Sequence, residues 1–237
     1  MALARDITTP EMHALGVELV DTERGLALVG DGMEIVADLS HLLPRIKPSN
    51  LQQELLVRAA KVKGLDREPL VIDATAGFGE DALLLAAAGC SVIMFEHNPI
   101  IASLLRDALE RAVDEPQLAP VVSRLTLVEG DSVQELRSRA YPAESGEAAL
   151  SPDVVYLDPM FPERSKSAAV KKKFQLLHRI EMPCSDEHEL LDAAFACQPR
   201  KIVVKRTLKG PYLADRKPHY SLKGKAVRYD CFAFASR

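Results

Sequence analysis

The chain beyond residue 69 alternates short, wholly apolar segments with stretches of helical periodicity, and this alternation is the strongest constraint on its fold. A strand that is apolar on both faces must be covered on both faces, as in parallel sheets flanked by helices. The pattern predicts strands at 70–74, 91–95, 125–128, 154–157 and 201–204, separated by helices at 81–88, 100–113, 132–139 and 187–196.

Two further segments, 220–222 and 227–234, predict a terminal hairpin, so the fold class is α/β with a doubly wound, mostly parallel seven-stranded sheet. Residues 1–48 are predicted to form a small N-terminal β-rich leader with strands at 17–21, 26–29 and 33–39. Residues 49–237 form the main domain. The sequence Ser49-Asn50-Leu51-Gln52 has the form of a capping box and predicts a helix running to about Val62.

Composition excludes several classes of protein. The 15 prolines and 12 glycines are spread along the chain, which excludes a collagen-like repeat. The start of the chain lacks the pattern of a secretory signal, and the apolar stretch at 82–95 is too short to span a bilayer. Four cysteines without CxxC spacing predict no metal site and reduced thiols in a cytoplasmic protein.

Charge is distributed unevenly along the chain. Residues 1–158 carry a net charge of −13, whereas residues 159–237 carry +9. A basic C-terminal part is suited to a polyanion such as a nucleic acid, although two oppositely charged solvated faces would give the same numbers.

Acidic and glycine residues follow the first three predicted strands. Gly77 and Gly79 follow Asp73, with the spacing of a nucleotide-binding turn that is completed at Ala82. Glu96 ends the second strand and is able to bind a ribose, or to act as an exposed cap before Pro99. Asp131 follows the third strand and is able to reach an adenine edge, to cap the next helix, or both. NAD enzymes and methyltransferases share the first two features, so these leave the class open.

The fourth strand is followed by a more specific motif, Asp158-Pro159-Met160-Phe161-Pro162. A carboxylate, a proline with a fixed carbonyl and an aromatic ring form a corner that suits a planar amino group. The motif resembles the Asp/Asn-Pro-Pro-aromatic motif of class I S-adenosylmethionine (SAM)-dependent methyltransferases that modify exocyclic or amide nitrogens.

A longer resemblance covers roughly residues 70–237. The runs 73–82, 96–99, 154–162, 166–172, 202–206 and 223–230 together resemble the ribosomal RNA small subunit methyltransferase J family, whose version of the corner motif contains Met160. The resemblance implies a class I, Rossmann-like methyltransferase fold and SAM as cofactor. It implies methylation of N2 of a guanine in 16S rRNA, with 16S rRNA or the 30S subunit as partner, in the cytoplasm and without a metal.

The resemblance also implies roles for individual residues. Asp158 lies between cofactor and substrate, where it and the Pro159 carbonyl accept hydrogen bonds from the amino group while Phe161 stacks on the base. The cofactor site comprises Asp73, Gly77, Gly79, Glu80, Asp81, Glu96, His97, Asp131, Ser132 and Asp158, with Glu80 and Asp81 near the methionine part, Glu96 and His97 beside the ribose, and Asp131 and Ser132 beside the adenine. The candidate RNA-binding residues are Lys166, Lys171, Lys172, Lys173, Lys205, Arg206, Lys225 and Arg228.

Four other hypotheses fit part of this pattern. An N5-glutamine protein methyltransferase uses the same kind of corner, and a ribosomal protein target would also suit the basic C-terminal part. A DNA amino-methyltransferase is less favoured because no separate recognition domain is evident. A Rossmann NAD-dependent oxidoreductase explains the glycine turn and Glu96 but leaves the corner at Asp158 unexplained. An RNA-binding module without activity would bind rRNA without methyl transfer.

Overall fold

A computed structural model describes Met12, residues 14–140, 151–159, 176–177, 180 and 186–234 of the 237-residue chain. Seven of the residues singled out in the sequence therefore lie outside the described residues: Met160, Phe161, Pro162, Lys166, Lys171, Lys172 and Lys173.

The described chain contains a seven-stranded, mostly parallel sheet, which confirms the predicted fold class. Its strands are β4 (Leu70–Asp73), β5 (Ser91–Glu96), β6 (Leu125–Glu129), β7 (Val154–Leu157), β8 (Lys201–Thr207), β9 (Tyr220–Lys223) and β10 (Val227–Ala233). Their order across the sheet is β6-β5-β4-β7-β8-β10-β9, with β10 antiparallel to both of its neighbours. The parallel strands β4 and β7 are central, so their carboxyl ends meet at the middle of one sheet edge.

Helices precede β4 and connect the parallel strands, and they cover the sheet. They are α1 (Leu43–Ile46), α2 (Pro48–Leu51), α3 (Leu55–Ala60), α4 (Glu80–Ala87), α5 (Pro99–Val113), α6 (Ala119–Val122), α7 (Ser132–Ala140) and α8 (Glu187–Ala196). Apolar residues dominate both the strands and the helix faces that pack on them. All four residues of β7 are buried, and five of the eight residues of α4 are buried against the sheet.

Three strands near the N-terminus form a separate antiparallel sheet: β1 (Glu18–Thr22), β2 (Gly25–Gly30) and β3 (Met33–Val36). This sheet packs on α5, because Leu28 and Ile35 share a buried cluster with Leu104 and Ala108. The β-rich leader is thus present and continuous with the core of the main sheet. A domain boundary at residue 48 stays a prediction.

The prediction of one helix that begins with a capping box at Ser49 and runs to about Val62 is wrong. The chain instead forms the short α2 and α3, with a turn between them and no side-chain cap on α2. Side-chain amides compete with the helical hydrogen bonds here, because Asn50 donates to the Pro44 carbonyl at 2.8 Å and Gln53 to the Ser49 carbonyl at 3.1 Å. A second difference is that β8 continues three residues beyond the predicted strand, to Thr207.

Within the described part of the chain, no helix is long and apolar enough to cross a membrane, and no three His, Cys, Asp or Glu residues are grouped so that they could hold a metal ion. Cys90, Cys197 and Cys231 are buried, and Cys197 Sγ donates to the Leu136 carbonyl at 3.2 Å.

Candidate active site at the carboxyl edge of the sheet

The turn between β4 and α4 uses its two glycines differently. Gly77 and Gly79 have φ angles of 53° and 73°, which side chains rarely adopt. A Cβ at Gly79 would lie 2.7 Å from Leu105 Cδ1, whereas a Cβ at Gly77 would meet no atom within 4 Å. Close packing therefore requires the glycine at 79, and the backbone at Gly77 borders open space.

Glu96, the last residue of β5, is buried beside this turn. Its Oε2 accepts a hydrogen bond from the Gly77 amide at 3.0 Å, and its Oε1 accepts one from the Asn98 amide at 2.8 Å. Burial raises the pKa of this carboxyl, although the two amide hydrogen bonds oppose the effect. Asn98 caps α5, because its side chain accepts hydrogen bonds from the amides of Ile100 and Ile101. The interpretation of Glu96 as an exposed cap is therefore wrong.

The neighbouring residues at this edge are more exposed. His97 has a half-exposed side chain, with Nδ1 3.7 Å from Glu96 Oε1. Asp131 Oδ1 accepts from the Gln134 amide at 2.9 Å and thereby caps α7, which begins at Ser132. The adjacent Gly130 amide donates to the Glu96 carbonyl at 3.0 Å, which holds the loop after β6 against the end of β5.

Asp158 follows β7, and a hydrogen bond from its backbone amide holds it in place. Its amide donates to Thr75 Oγ1 at 2.7 Å, and the Thr75 amide donates to Asp73 Oδ1 at 3.0 Å. Asp73 is almost fully buried, and burial raises the pKa of its carboxyl to about 8, with further contributions from Asp81 and Asp158. Pro159 is also buried. Asp158, the first residue of the corner motif, is therefore tied through Thr75 to the end of β4.

Lys205, on β8, occupies the same corner. Its Nζ donates to Asp81 Oδ2 and to Asp158 Oδ2, each at 2.8 Å. The Tyr156 hydroxyl donates to Asp81 Oδ2 at 2.6 Å. Burial lowers the pKa of Lys205, but the two carboxylates outweigh this effect and raise it well above its ordinary value. Glu80 lies at the margin of this group, 3.5 Å from His41 Nε2.

Three of the predicted RNA-binding residues require correction. Lys205 uses its charge on the two carboxylates, and the Arg206 side chain is 1% exposed, with Nε donating to the Pro211 carbonyl at 2.9 Å. Arg228 is buried, and its Nε lies 2.9 Å from Asp230 Oδ1. Arg228 also donates to the carbonyls of Thr207, Leu208, Gly210 and Pro211. These arginines stabilise the loop after β8 and face no solvent, so they are wrong as phosphate contacts. Lys225 is exposed, and its role stays a prediction.

Sequence reasoning missed Thr75, Tyr156 and Lys205 as members of the site. Each lies on or just after a strand whose carboxyl end reaches this edge. Thr75 and Tyr156 have polar side chains between apolar neighbours, and Lys205 directly follows the apolar run 202–204. The same strand-end argument that selected Glu96 and Asp158 would have found Lys205 if β8 had been extended past residue 204.

The sheet order, the glycine turn and the acidic strand ends define the class I SAM-dependent methyltransferases. A family model described as "Putative SAM-dependent methyltransferase" matches residues 13–234. A solved SAM-dependent methyltransferase from Neisseria gonorrhoeae is 28% identical, covers 96% of this chain and 93% of its own, and superposes with a TM-score of 0.71.

Curated relatives specify the family further. Ribosomal RNA small subunit methyltransferase J from Thioalkalivibrio sulfidiphilus is 41% identical over 183 residues, which are 77% of this chain and 69% of the relative. The same enzyme from Pseudomonas aeruginosa (strain LESB58) is 47% identical over 164 residues, or 69% of this chain and 60% of the relative. The chain belongs to the ribosomal RNA small subunit methyltransferase J family, and it matches about three fifths of the length of the Pseudomonas relatives.

The described residues fit the cofactor of this class. A Cβ-free backbone at Gly77 leaves room for a ligand, and the carboxylate of Glu96 retains a second lone pair on each oxygen for a ribose hydroxyl. The carboxylates of Asp81 and Asp158 suit the positive charges of SAM. Ser132 and Asp131 lie at the end of β6, next to the Glu96 backbone, where an adenine would follow the ribose.

Proposed function

We propose that this protein transfers the methyl group of SAM to the exocyclic N2 of a guanine in 16S rRNA, in the cytoplasm, on free rRNA or the 30S subunit. The observation that carries the proposal is the fixed corner at Asp158, which combines an oriented carboxylate with the adjacent Pro159 at the cofactor edge of the sheet. The printed names of the curated relatives support small-subunit rRNA as the substrate. The choice of guanine N2 rests on the resemblance of the corner motif.

The chain's own residues would act chiefly by alignment. When bound, SAM supplies a methyl group on a sulfonium, and the C–S electron pair stays on sulfur as the new N–C bond forms. Asp158 and the Pro159 carbonyl would each accept a hydrogen bond from the guanine amino group. These bonds would turn the nitrogen lone pair toward the methyl group. Good alignment of this kind supplies on the order of 7–11 kcal/mol of a reaction barrier.

Asp158 would also stabilise the positive charge that develops on nitrogen. Lys205 beside the carboxylate is already protonated and would not act as the base, so the proton released from nitrogen would pass to solvent water after methyl transfer. Phe161 would stack on the base, a contact typically worth about 1–3 kcal/mol.

In the cofactor site, we assign the ribose to Glu96 and His97 and the adenine to Asp131 and Ser132. Glu80 and Asp81 would border the methionine part, above the backbone of Gly77 and Gly79, and Asp73 would support the corner from below through Thr75. Glu96→Gln tests this assignment, because an amide nitrogen replaces one of the two acceptor oxygens. We expect SAM affinity to fall at least tenfold in isothermal titration calorimetry.

The RNA would lie along the same edge. The candidate phosphate contacts are Lys166, Lys171, Lys172, Lys173 and the exposed Lys225. Contacts of this kind make binding fall steeply with salt. A variant with Lys171, Lys172 and Lys173 changed to Ala should lose rRNA affinity and retain SAM affinity.

The central experiment is transfer of labelled methyl from SAM to undermodified 30S subunits, free 16S rRNA and ribosomal proteins. The RNA is then digested to nucleosides, and Asp158→Asn is compared with wild type and with Asp66→Asn, an exposed matched control. We expect label in N2-methylguanosine. The amount of this label should fall at least 100-fold in Asp158→Asn and stay near the wild-type amount in Asp66→Asn. Label in protein would favour a glutamine methyltransferase, and SAM binding without any transfer would refute the proposed substrate.

A further inference from the structure

Three charged side chains from three different elements meet in the corner. Lys205 of β8 lies between Asp81 of α4 and Asp158 after β7, with its Nζ 2.8 Å from one carboxylate oxygen of each. The exposed fractions of these side chains are 26%, 18% and 33%, so the group is partly shielded from water. Charge-assisted hydrogen bonds in such a setting are strong and directional.

We propose that Lys205 is the positioning residue for Asp158: its ammonium fixes the direction of the carboxylate and keeps it anionic as an acceptor for the substrate amino group. This inference rests on the proposed function, because it explains how the same corner is held ready. It assigns to Lys205 a role in the site in place of an RNA contact.

The electrostatic reason lies in the number of acids that share this corner. Asp73 and Asp81 both face the space around Asp158, and the charges of Asp81 and Asp158 help to raise the pKa of Asp73. Lys205 opposes this effect on Asp73. Asp73 keeps its proton up to its pKa of about 8, so the carboxylate whose charge Asp158 meets is Asp81. Without the lysine between them, repulsion between Asp81 and Asp158 would favour protonation of one of the two, and a protonated Asp158 would be a poor acceptor. Among the described residues, the titratable and charged groups around the corner are Asp73 on β4, Asp81 on α4, Tyr156 on β7, Arg206 on β8, Tyr229 on β10 and Arg45 on α1.

The two sides of Lys205 are chemically distinct. Asp81 has a second donor, the Tyr156 hydroxyl at 2.6 Å from the same oxygen that Lys205 contacts. Burial, together with the nearby acids, raises the pKa of Tyr156 well above its ordinary value, so this hydroxyl keeps its proton and its hydrogen bond. Loss of Lys205 would therefore leave Asp81 with its hydrogen bond from Tyr156, whereas Asp158 would lose its 2.8 Å hydrogen bond from the lysine ammonium.

The kinetic test compares Lys205→Met, Lys205→Arg and a matched control, Lys63→Met, at an exposed lysine between α3 and β4. We expect Lys205→Met to lower kcat 10- to 100-fold, to change the KM for SAM less than threefold, and to shift the acid limb of the pH profile to higher pH. Lys205→Arg keeps the charge and should recover part of kcat and the original pH profile. An Lys205→Met enzyme with wild-type kcat and pH profile, or an Arg variant as impaired as the Met variant, would overturn the proposal.

A second measurement is independent of RNA and of the Met variant's activity. The Asp158 carboxyl carbon is titrated by ¹³C NMR in wild type, Lys205→Met, Lys205→Arg and Tyr156→Phe, with Asp158→Asn for assignment. The midpoint should rise in Lys205→Met and stay near wild type in the other two variants. An unchanged midpoint in Lys205→Met, or an equal rise in Tyr156→Phe, would overturn the inference. Wild-type protein that shows the expected titrations but transfers no methyl to rRNA would instead refute the proposed function.

Discussion

Replacing Asp73 with asparagine should make the protein more stable at pH 8 than wild type, and the gain should shrink as the pH falls. Burial raises the pKa of Asp73 from 3.8 to about 8 in the folded protein. Between these values the unfolded chain has lost the proton that the folded protein retains, so the free energy of unfolding falls as pH rises through this window. The loss across the full window is on the order of 5 kcal/mol.

The variant lacks this proton equilibrium but keeps the local hydrogen bond. An asparagine Oδ1 is able to accept from the Thr75 amide, as Asp73 Oδ1 does at 3.0 Å. Below about pH 4 the carboxyl is neutral in both states, and the two proteins should have similar free energies of unfolding.

The assay is urea unfolding of both proteins at several pH values between 4.5 and 8.5, followed by circular dichroism. Asp66→Asn, at an exposed carboxyl, serves as the control and should show a difference from wild type that varies little with pH. A difference between Asp73→Asn and wild type that stays constant across this range would refute the reasoning, because it would mean that Asp73 titrates alike in the folded and unfolded states.

Three further predictions concern the backbone and the buried charges. Gly79→Ala should lower the free energy of unfolding by about 2 kcal/mol or more through strain and crowding. Gly77→Ala should lower it less, but should weaken SAM binding at least tenfold. Equal losses of stability would contradict the packing argument. Asn98→Ala should cost about 1–2 kcal/mol by removing the cap of α5, and Asn98→Ser should cost less; urea unfolding would show no difference if the cap were unimportant. Arg228→Met should cost about 3–5 kcal/mol, because the buried Asp230 would lose its cation and keep the hydrogen bond from the Ser221 hydroxyl. Adding Asp230→Leu should recover part of the loss, and a double variant less stable than the single would contradict this account.

Much of the cofactor side of the site was predictable because it depends on residues close together in sequence. The turn that contains Gly77 and Gly79 follows β4 directly, and Glu96 ends the next strand. The carboxyl ends of adjacent parallel strands meet at one edge, so residue type and strand position were sufficient to bring these groups together. Their roles toward SAM stay predictions.

The basic residues were harder to place, because a sequence gives the charge of a side chain but not its partner. Arg206 and Arg228 stand directly opposite each other on the antiparallel strands β8 and β10, and both side chains are buried and bind carbonyls of the loop after β8. Lysines and arginines are seldom fully buried in proteins, so the sequence analysis placed both arginines on the surface, and this placement was wrong.

The sequence by itself determined the order of strands and helices, the α/β class and the glycine turn, because hydrophobic periodicity and backbone freedom are local properties. The tertiary structure decided which of the many charged residues share a site. Lys205 and Asp158 are 47 residues apart in the chain, but Asp158 directly follows β7 and Lys205 lies on the neighbouring parallel strand β8, so that Nζ and Oδ2 are 2.8 Å apart. Such a pairing depends on the register of β7 and β8 and on the length of β8, and these are fixed only when the whole sheet packs.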